Sequence, residues 1–255
     1  MNLLPMPREL SSNDGTYTLS NAALTMVGAH TQPMWFAAQR LKAALAQLGV
    51  DVRVSSSASG AAGNVMLVID PERVQHAQGY VLDITPSGVT LAGNDAPGVF
   101  YGVCTLLQLI ALESGPAIQL PYLHIADWPD YPHRGVMLDI SRDKVPTLDT
   151  LLAQIDQLAG WKINQVQLYT EHTFAYRDHQ QVWANASPYT AEDIQQIDLF
   201  CRARHVELVP NQNSFGHWHR WLRHPEYLQY AEVQDPNYHN GWIRSPFSLN
   251  PTEPQ

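Results

Sequence analysis

His133-Arg134-Gly135-Val136-Met137-Leu138-Asp139-Ile140-Ser141-Arg142 is the stretch on which the fold turns. Val136–Ile140 is a short apolar run bounded by Gly135 and by a polar segment, the pattern of a strand buried in a parallel sheet. Downstream of it the patterns alternate. A helical pattern over Leu148–Leu158 precedes an apolar run at Gln165–Tyr169. A second helical pattern over Ala191–Arg204 precedes Val206–Val209. Thr190 with Glu192-Asp193 supplies an N-cap hydroxyl and acids for a first helical turn. Strand, helix, strand, helix, strand predicts parallel strands joined by right-handed crossovers, the opening of a (β/α)8 barrel. By Gln255 there is room for about three such units, whereas a closed barrel needs eight over ~250 residues.

Upstream, Asp127-Trp128-Pro129-Asp130-Tyr131-Pro132 is punctuated by two prolines and marks a change of pattern, so a domain boundary is expected at 130/131. Residues 1–130 read as an α+β unit. Thr16–Leu19, Leu24–Val27 and Val65–Ile69 are strand candidates. Tyr80–Ile84 and Val89–Ala92 alternate around Pro86-Ser87-Gly88 as a hairpin does. Trp35 through Leu48 and Phe100 through Ile110 carry helical spacing, with stops at Gly49 and near Gly115-Pro116. Ser55-Ser56-Ser57-Ala58-Ser59-Gly60 reads as a loop by composition. The expected fold class is therefore α/β, with an α+β sheet domain followed by an incomplete barrel. The expectation for helices in the first domain is that they cover one face of an open sheet.

The chain has 255 residues, of which 45% are hydrophobic and 15% charged, ordinary for a packed protein and against disorder. A formal net charge of −9 argues against nucleic acid or an anionic membrane as partner and leaves a neutral small molecule open. The two cysteines, Cys104 and Cys201, sit inside apolar helical patterns and read as buried free thiols. Met1–Glu9 shows neither a basic n-region nor an apolar h-region, and no apolar run approaches ~20 residues. The expectation is a cytoplasmic protein.

Barrel chemistry collects at the C-terminal ends of strands. Three polar clusters fall there: Asp139, Ser141, Arg142 and Asp143; Glu171 and His172; and Asn211, Asn213, His217 and His219. Such convergence suits a ligand rich in hydroxyls. Arg134 stands at the start of an apolar strand and reads either as a local ion-pair partner or as a bidentate fork for vicinal hydroxyls. His217 and His219 with Glu171 are conceivable zinc ligands, but there is neither an HExxH nor a paired-cysteine spacing. No metal and no cofactor is expected.

The chain resembles the β-N-acetylhexosaminidases of glycoside hydrolase family 20 over nearly its whole length. Leu4-Pro5-Met6-Pro7-Arg8-Glu9, Gly79 through Ile84, Gly88 through Leu91, and Gly98-Val99-Phe100-Tyr101-Gly102 with Thr105 through Leu109 resemble the family's non-catalytic first domain. Arg134 through Asp139 with Ser141-Arg142, and Val209-Pro210-Asn211-Gln212-Asn213-Ser214-Phe215-Gly216-His217, resemble strands one and three of its barrel. The resemblance implies retaining, substrate-assisted removal of a terminal N-acetylhexosamine, an exception to the two-carboxylate scheme. In it the substrate's acetamido oxygen attacks the anomeric carbon, an aspartate orients the amide, and the adjacent glutamate protonates the leaving oxygen.

It also implies roles for residues. Arg134 matches an arginine gripping sugar hydroxyls and His217 a histidine near the acid. Glu171 and His172 stand where the family carries an Asp pair, and Asp143 where it carries a histidine. Asn211 completes the expected substrate-binding set. The catalytic Asp-Glu pair of strand four has no counterpart, since no Asp-Glu dipeptide occurs in the chain. Ser248 through Pro254 resembles the segment before the next barrel helix. The expectation is a fragment, from a truncated or split reading frame, inactive alone or completed by a second chain. The alternative is a non-catalytic protein that binds N-acetylhexosamine or regulates.

Overall fold

The two alternating runs around Pro86-Ser87-Gly88 form the expected hairpin, β5 (Tyr80–Thr85) with β6 (Gly88–Gly93). Gly88 has φ +133°, and a Cβ there would run into the backbone of Asn64, so the turn requires glycine. In the computed structural model, which describes residues 2–58, 63–113, 117–142, 144–235, 237–240, 243–244 and 246–252, this hairpin lies inside a seven-stranded mixed sheet. Its strands are β1 (Glu9–Leu19), β2 (Ala22–Val27), β3 (Val52–Ser57), β4 (Val65–Ile69), β5, β6 and β7 (Ile118–Asp127), in the order β1-β7-β5-β6-β4-β2-β3.

Helix α1 (Trp35–Gln47) and helix α2 (Ala96–Ala111) pack against each other and against the sheet, so both lie on one face, as expected. Gly49, with φ +79°, ends α1. Asp95 caps α2 by accepting from Gly98 N at 2.8 Å, and its second oxygen accepts from Gln78 N at 2.9 Å. At Gly98 a Cβ would collide with the carbonyl of Gly79, which is why α2 can approach β5 so closely. Leu24, Leu67, Leu82, Leu91, Phe100 and Leu106 fill the space between helices and sheet. The unit to which these elements belong comprises Met1–Arg134 together with Gln157–Ile163 and Ala203–His205.

Two sequence expectations are corrected. Ser55–Ser57 is the end of β3 and not loop, paired in parallel with β2 alone at the edge of the sheet. β7 is not among the expected strands, although it lies between β1 and β5. Ser59-Gly60, Gly115-Pro116, Asp143 and Glu253-Pro254 fall outside the described residues.

The second unit comprises Gly135–Asp156, Asn164–Arg202 and Val206–Gln255. Here β8 (Gly135–Asp139), β9 (Gln165–Thr170) and β10 (Glu207–Gln212) form a parallel sheet in the order β10-β9-β8. The expected alternation holds: α3 (Leu148–Gly160) comes after β8, and α5 (Ala191–Arg202) precedes β10 after a single turn, α4 (Gln180–Trp183). Val166 and Leu168 are buried on one sheet face, as are Leu151 and Ile155 of α3 and Ile197 and Cys201 of α5. Thr190 and Asp193 cap α5 reciprocally: Asp193 N donates to Thr190 Oγ1 at 3.1 Å, and Thr190 N donates to Asp193 Oδ2 at 2.8 Å. Beyond β10 come the short helices α6 (His219–Leu222) and α7 (Pro225–Leu228) and a two-residue ribbon of β11 (His239–Asn240) with β12 (Ile243–Arg244). Cys104 and Cys201 are both buried and free. Among the described residues no helix is long and apolar enough to cross a membrane.

Candidate functional site

The parallel register sets Asp139 beside Tyr169, and Tyr169 beside Asn211, so three polar side chains share one row at the C-terminal ends of β8, β9 and β10. Adjacent parallel strands in register present such residues on the same face. Glu171 comes directly after β9, and both of its backbone groups are held by side chains. Its N–H donates to Ser141 Oγ at 2.7 Å, while its carbonyl accepts from Trp221 Nε1 at 2.7 Å and Gln212 Nε2 at 3.1 Å. Its side chain is only 11% exposed.

Around that carboxylate the partners converge. Tyr169 Oη donates to Glu171 Oε1 at 2.9 Å and accepts from Asn213 Nδ2 at 2.7 Å. His217 Nδ1 lies 3.5 Å and Arg142 Nη2 3.8 Å from the same oxygen. Arg142 also pairs with Asp139 and lies over the Tyr169 ring, 5.2 Å from its centroid. Asp139 in turn accepts from Ser141 N at 2.9 Å. The carboxylates raise the pKa of the Arg142 guanidinium, with the Asp139 hydrogen bond as the largest cause. Tyr169 is pushed above the ordinary phenol range, first by burial and also by its bond to Glu171, against the opposing bond from Asn213. The result is a fixed fork, two carboxylates, an imidazole and a phenol around one opening, a hydrogen-bonding set for a ring bearing several hydroxyls.

The sequence-predicted residues divide. Glu171 and His217 come together. Asn211 lies in the same row, its Nδ2 3.7 Å from Met137 Sδ. His172 turns inward, 5% exposed, and lines a neighbouring cavity. Arg134 is the correction. It precedes β8, at the end of the strand opposite the Glu171 cluster. Its Nε donates to Lys162 O at 2.8 Å, and its Nη1 to Tyr131 O at 2.8 Å and Gln78 Oε1 at 2.9 Å, beneath the Tyr101 ring. A guanidinium so committed braces the first unit and does not reach the strand ends.

The residues that sequence reasoning left without a role are Arg142, Asp139, Tyr169 and Asn213. Arg142 and Asp139 belong to the first strand-end cluster. Tyr169 carries a signal too, the two-residue alternation that places it across from Asp139. His219 Nδ1 lies 3.1 Å from Pro246 O, and among the described residues no group of three or more His, Cys, Asp or Glu is arranged to hold a metal ion.

Comparison with known proteins decides the family. Residues 1–128 match the model of glycosyl hydrolase family 20, domain 2, and residues 131–255 that of the family 20 catalytic domain. The chain belongs to glycosyl hydrolase family 20. It is 26% identical over 241 residues to a β-hexosaminidase of Porphyromonas gingivalis, covering 85% of this chain and 30% of that protein. It is 26% identical over 151 residues to the mouse β-hexosaminidase subunit beta, covering 56% of this chain and 28% of the relative. The chain thus spans about a third of the length of these curated relatives. Among solved structures it superposes on the Streptomyces plicatus N-acetyl-β-hexosaminidase in complex with Thio-NAglucal with a TM-score of 0.80 and 25% identity, covering 97% of this chain and 52% of that one. A mutant of the same enzyme, in complex with its product GlcNAc, gives a TM-score of 0.79. The second unit is accordingly the opening part of a family 20 TIM barrel.

Proposed function

We propose that this chain carries the hydroxyl-gripping side of the terminal sugar subsite of a β-N-acetylhexosaminidase. Residues 1–130 form its non-catalytic domain and residues 131–255 the first part of its catalytic barrel. The observation that carries the reading is the cluster at the strand ends, where Arg142, Asp139, Tyr169 and His217 surround a nearly buried Glu171. In this reading Arg142 supplies the planar fork for two vicinal hydroxyls, held by Asp139 and by the face of Tyr169. Glu171 accepts from a further hydroxyl, and His217 borders the place where the scissile bond lies.

The substrate-assisted reaction needs more. The acetamido oxygen attacks the anomeric carbon as the glycosidic bond breaks, and an acid must deliver a proton to the departing oxygen. In the family pattern the orienting aspartate and the acid are neighbours, and this sequence has no such dipeptide. The 255 residues therefore bind N-acetylhexosamine without cleaving its glycosides, and turnover requires the pair from outside them. Titration of N-acetylglucosamine into the chain, monitored by amide NMR, should move Glu171, Tyr169 and His217 signals. Nitrophenol release from the nitrophenyl N-acetylglucosaminide should stay at the level of a mock preparation. Sugar-induced shifts elsewhere only, or turnover abolished by Glu171→Gln, would each overturn part of this assignment.

A further inference from the structure

Beside the Glu171 cluster, and separated from it by Ser141, the second unit holds a cavity of about 460 Å³ that the sugar subsite does not use. Ser141 and Thr173 share a hydrogen bond of 3.0 Å between their hydroxyls and form its inner wall, with the buried ring of His172 next to them. Lys144, Asn185, Ser187 and Arg220 close the remaining sides. Two cations and four neutral donors thus face one space, and no described carboxylate lines it. In a chain with 24 acidic and 15 basic residues that is a pronounced local excess of positive charge.

Among the described residues no hydrogen bond or ion pair occupies the side chains of Lys144, Asn185 or Ser187. Two cations sharing a cavity repel, and an anion placed between them converts that repulsion into two charge-assisted hydrogen bonds. Donors arriving from several directions, with both point-charge and forked geometry, match a tetrahedral anion better than a planar carboxylate. The volume exceeds what a bare ion fills and leaves room for the group to which it is attached.

We propose that this cavity binds a tetrahedral oxyanion, a sulfate or phosphate group. Its place one residue from Glu171 makes an ester on the sugar ligand the natural source, a point that rests on the sugar-binding reading above. The oxyanion site itself does not depend on that reading.

The test uses the full chain and three probes: inorganic sulfate, N-acetylglucosamine 6-sulfate and plain N-acetylglucosamine, titrated by calorimetry at low ionic strength. Sulfate should bind saturably with a Kd on the order of 1 mM, and Lys144→Gln should weaken it about tenfold. Lys144 is exposed, so that variant keeps the wild-type melting transition, and Arg220→Lys provides an independent check on the second cation. A 6-sulfate that binds about tenfold tighter than both other probes assigns the anion to the sugar, and equal affinity for 6-sulfate and inorganic sulfate assigns it to a free ion. If plain sugar fails to bind while sulfate binds, the sugar subsite reading falls and the oxyanion site stands. Absence of saturable binding by either sulfate-bearing probe, or binding unchanged in Lys144→Gln and Arg220→Lys alike, overturns the proposal.

Discussion

Arg134 and Arg142 are separated by eight positions in one motif, and truncating each should produce opposite phenotypes. Arg134→Ala removes three hydrogen bonds from a half-buried guanidinium, to Lys162 O, Tyr131 O and Gln78 Oε1, and its contact with the Tyr101 ring. Charge-assisted bonds of this kind contribute about 1 kcal/mol or somewhat more each once the exchange with water is counted, and the ring contact about 0.5–1 kcal/mol. The variant should lose about 3–4 kcal/mol, lowering the transition of the first unit by roughly 6–15 °C. Its affinity for N-acetylglucosamine, measured well below that transition, should be unchanged. Arg142→Ala should do the reverse. Its guanidinium is largely exposed, so the melting curve barely moves, whereas the loss of a forked bond to hydroxyls weakens sugar binding by about 1.5–3 kcal/mol, roughly 10- to 150-fold. Thermal melts and calorimetry on the two purified variants separate the cases. If folded Arg134→Ala no longer binds sugar while Arg142→Ala binds normally, the assignment of roles to the two ends of β8 is wrong.

Buried groups give two further expected outcomes. In the first unit Lys162 Nζ lies 2.8 Å from Asp127 Oδ2 and 3.0 Å from Tyr80 Oη, with side-chain exposures of 7% and 10% for the ion pair, and burial holds the lysine below its ordinary range despite Asp127. Lys162→Met should cost about 3–5 kcal/mol in urea unfolding because Asp127 is left buried without its cation, whereas Lys162→Met with Asp127→Leu should recover much of it. A double variant no more stable than the single one would contradict that account. Tyr189, buried and donating to Pro146 O at 2.7 Å, is pushed up to about 12 by burial and secondarily by Asp193. Its folded pKa is above the unfolded value of about 10, so its contribution is fully present below pH 10 and is lost as pH rises from 10 towards 12. Urea unfolding at pH 10 and 11.5 should show a shallower decline in Tyr189→Phe than in the wild type, and identical slopes would refute the shift.

How far the fold is legible in the sequence depends on what each element has to bury. The barrel strands β8 and β9 and the helix α5 announce themselves because their apolar residues recur at one period from end to end, and the Thr190/Asp193 cap marks where α5 starts. β3 hides because an edge strand with β2 as its one neighbour needs few apolar residues, and Ser55–Ser57 satisfy the ladder as well as valines would. β7 hides for another reason. Its buried residues are Ile118, Leu120, Leu123, Ile125 and Asp127, so the two-residue period slips by one between Leu120 and Leu123, at Pro121. That slip answers the register shift between Ser12 and Thr16 in β1, and an irregularity of this kind is where an inner strand tolerates proline.

The site is legible to a different extent. The rule that barrel chemistry gathers at C-terminal strand ends selects Glu171, His217, Asn211 and Arg142 correctly as residents of one face, and it excludes Arg134, which precedes the strand. Five residues of β8, roughly 16 Å at about 3.3 Å per residue, separate the two arginines' ends of the strand. Family resemblance points to Arg134 as the gripping residue, and strand direction points away from it. Direction is the stronger constraint, because a guanidinium reaches about 6–7 Å from its Cα and cannot turn back along a strand more than twice that length. What no periodicity could disclose is which neighbour holds which. Glu171 is immobilised by Ser141, Trp221 and Gln212, residues 30, 50 and 41 positions away from it, and only the folded chain brings those bonds into one place.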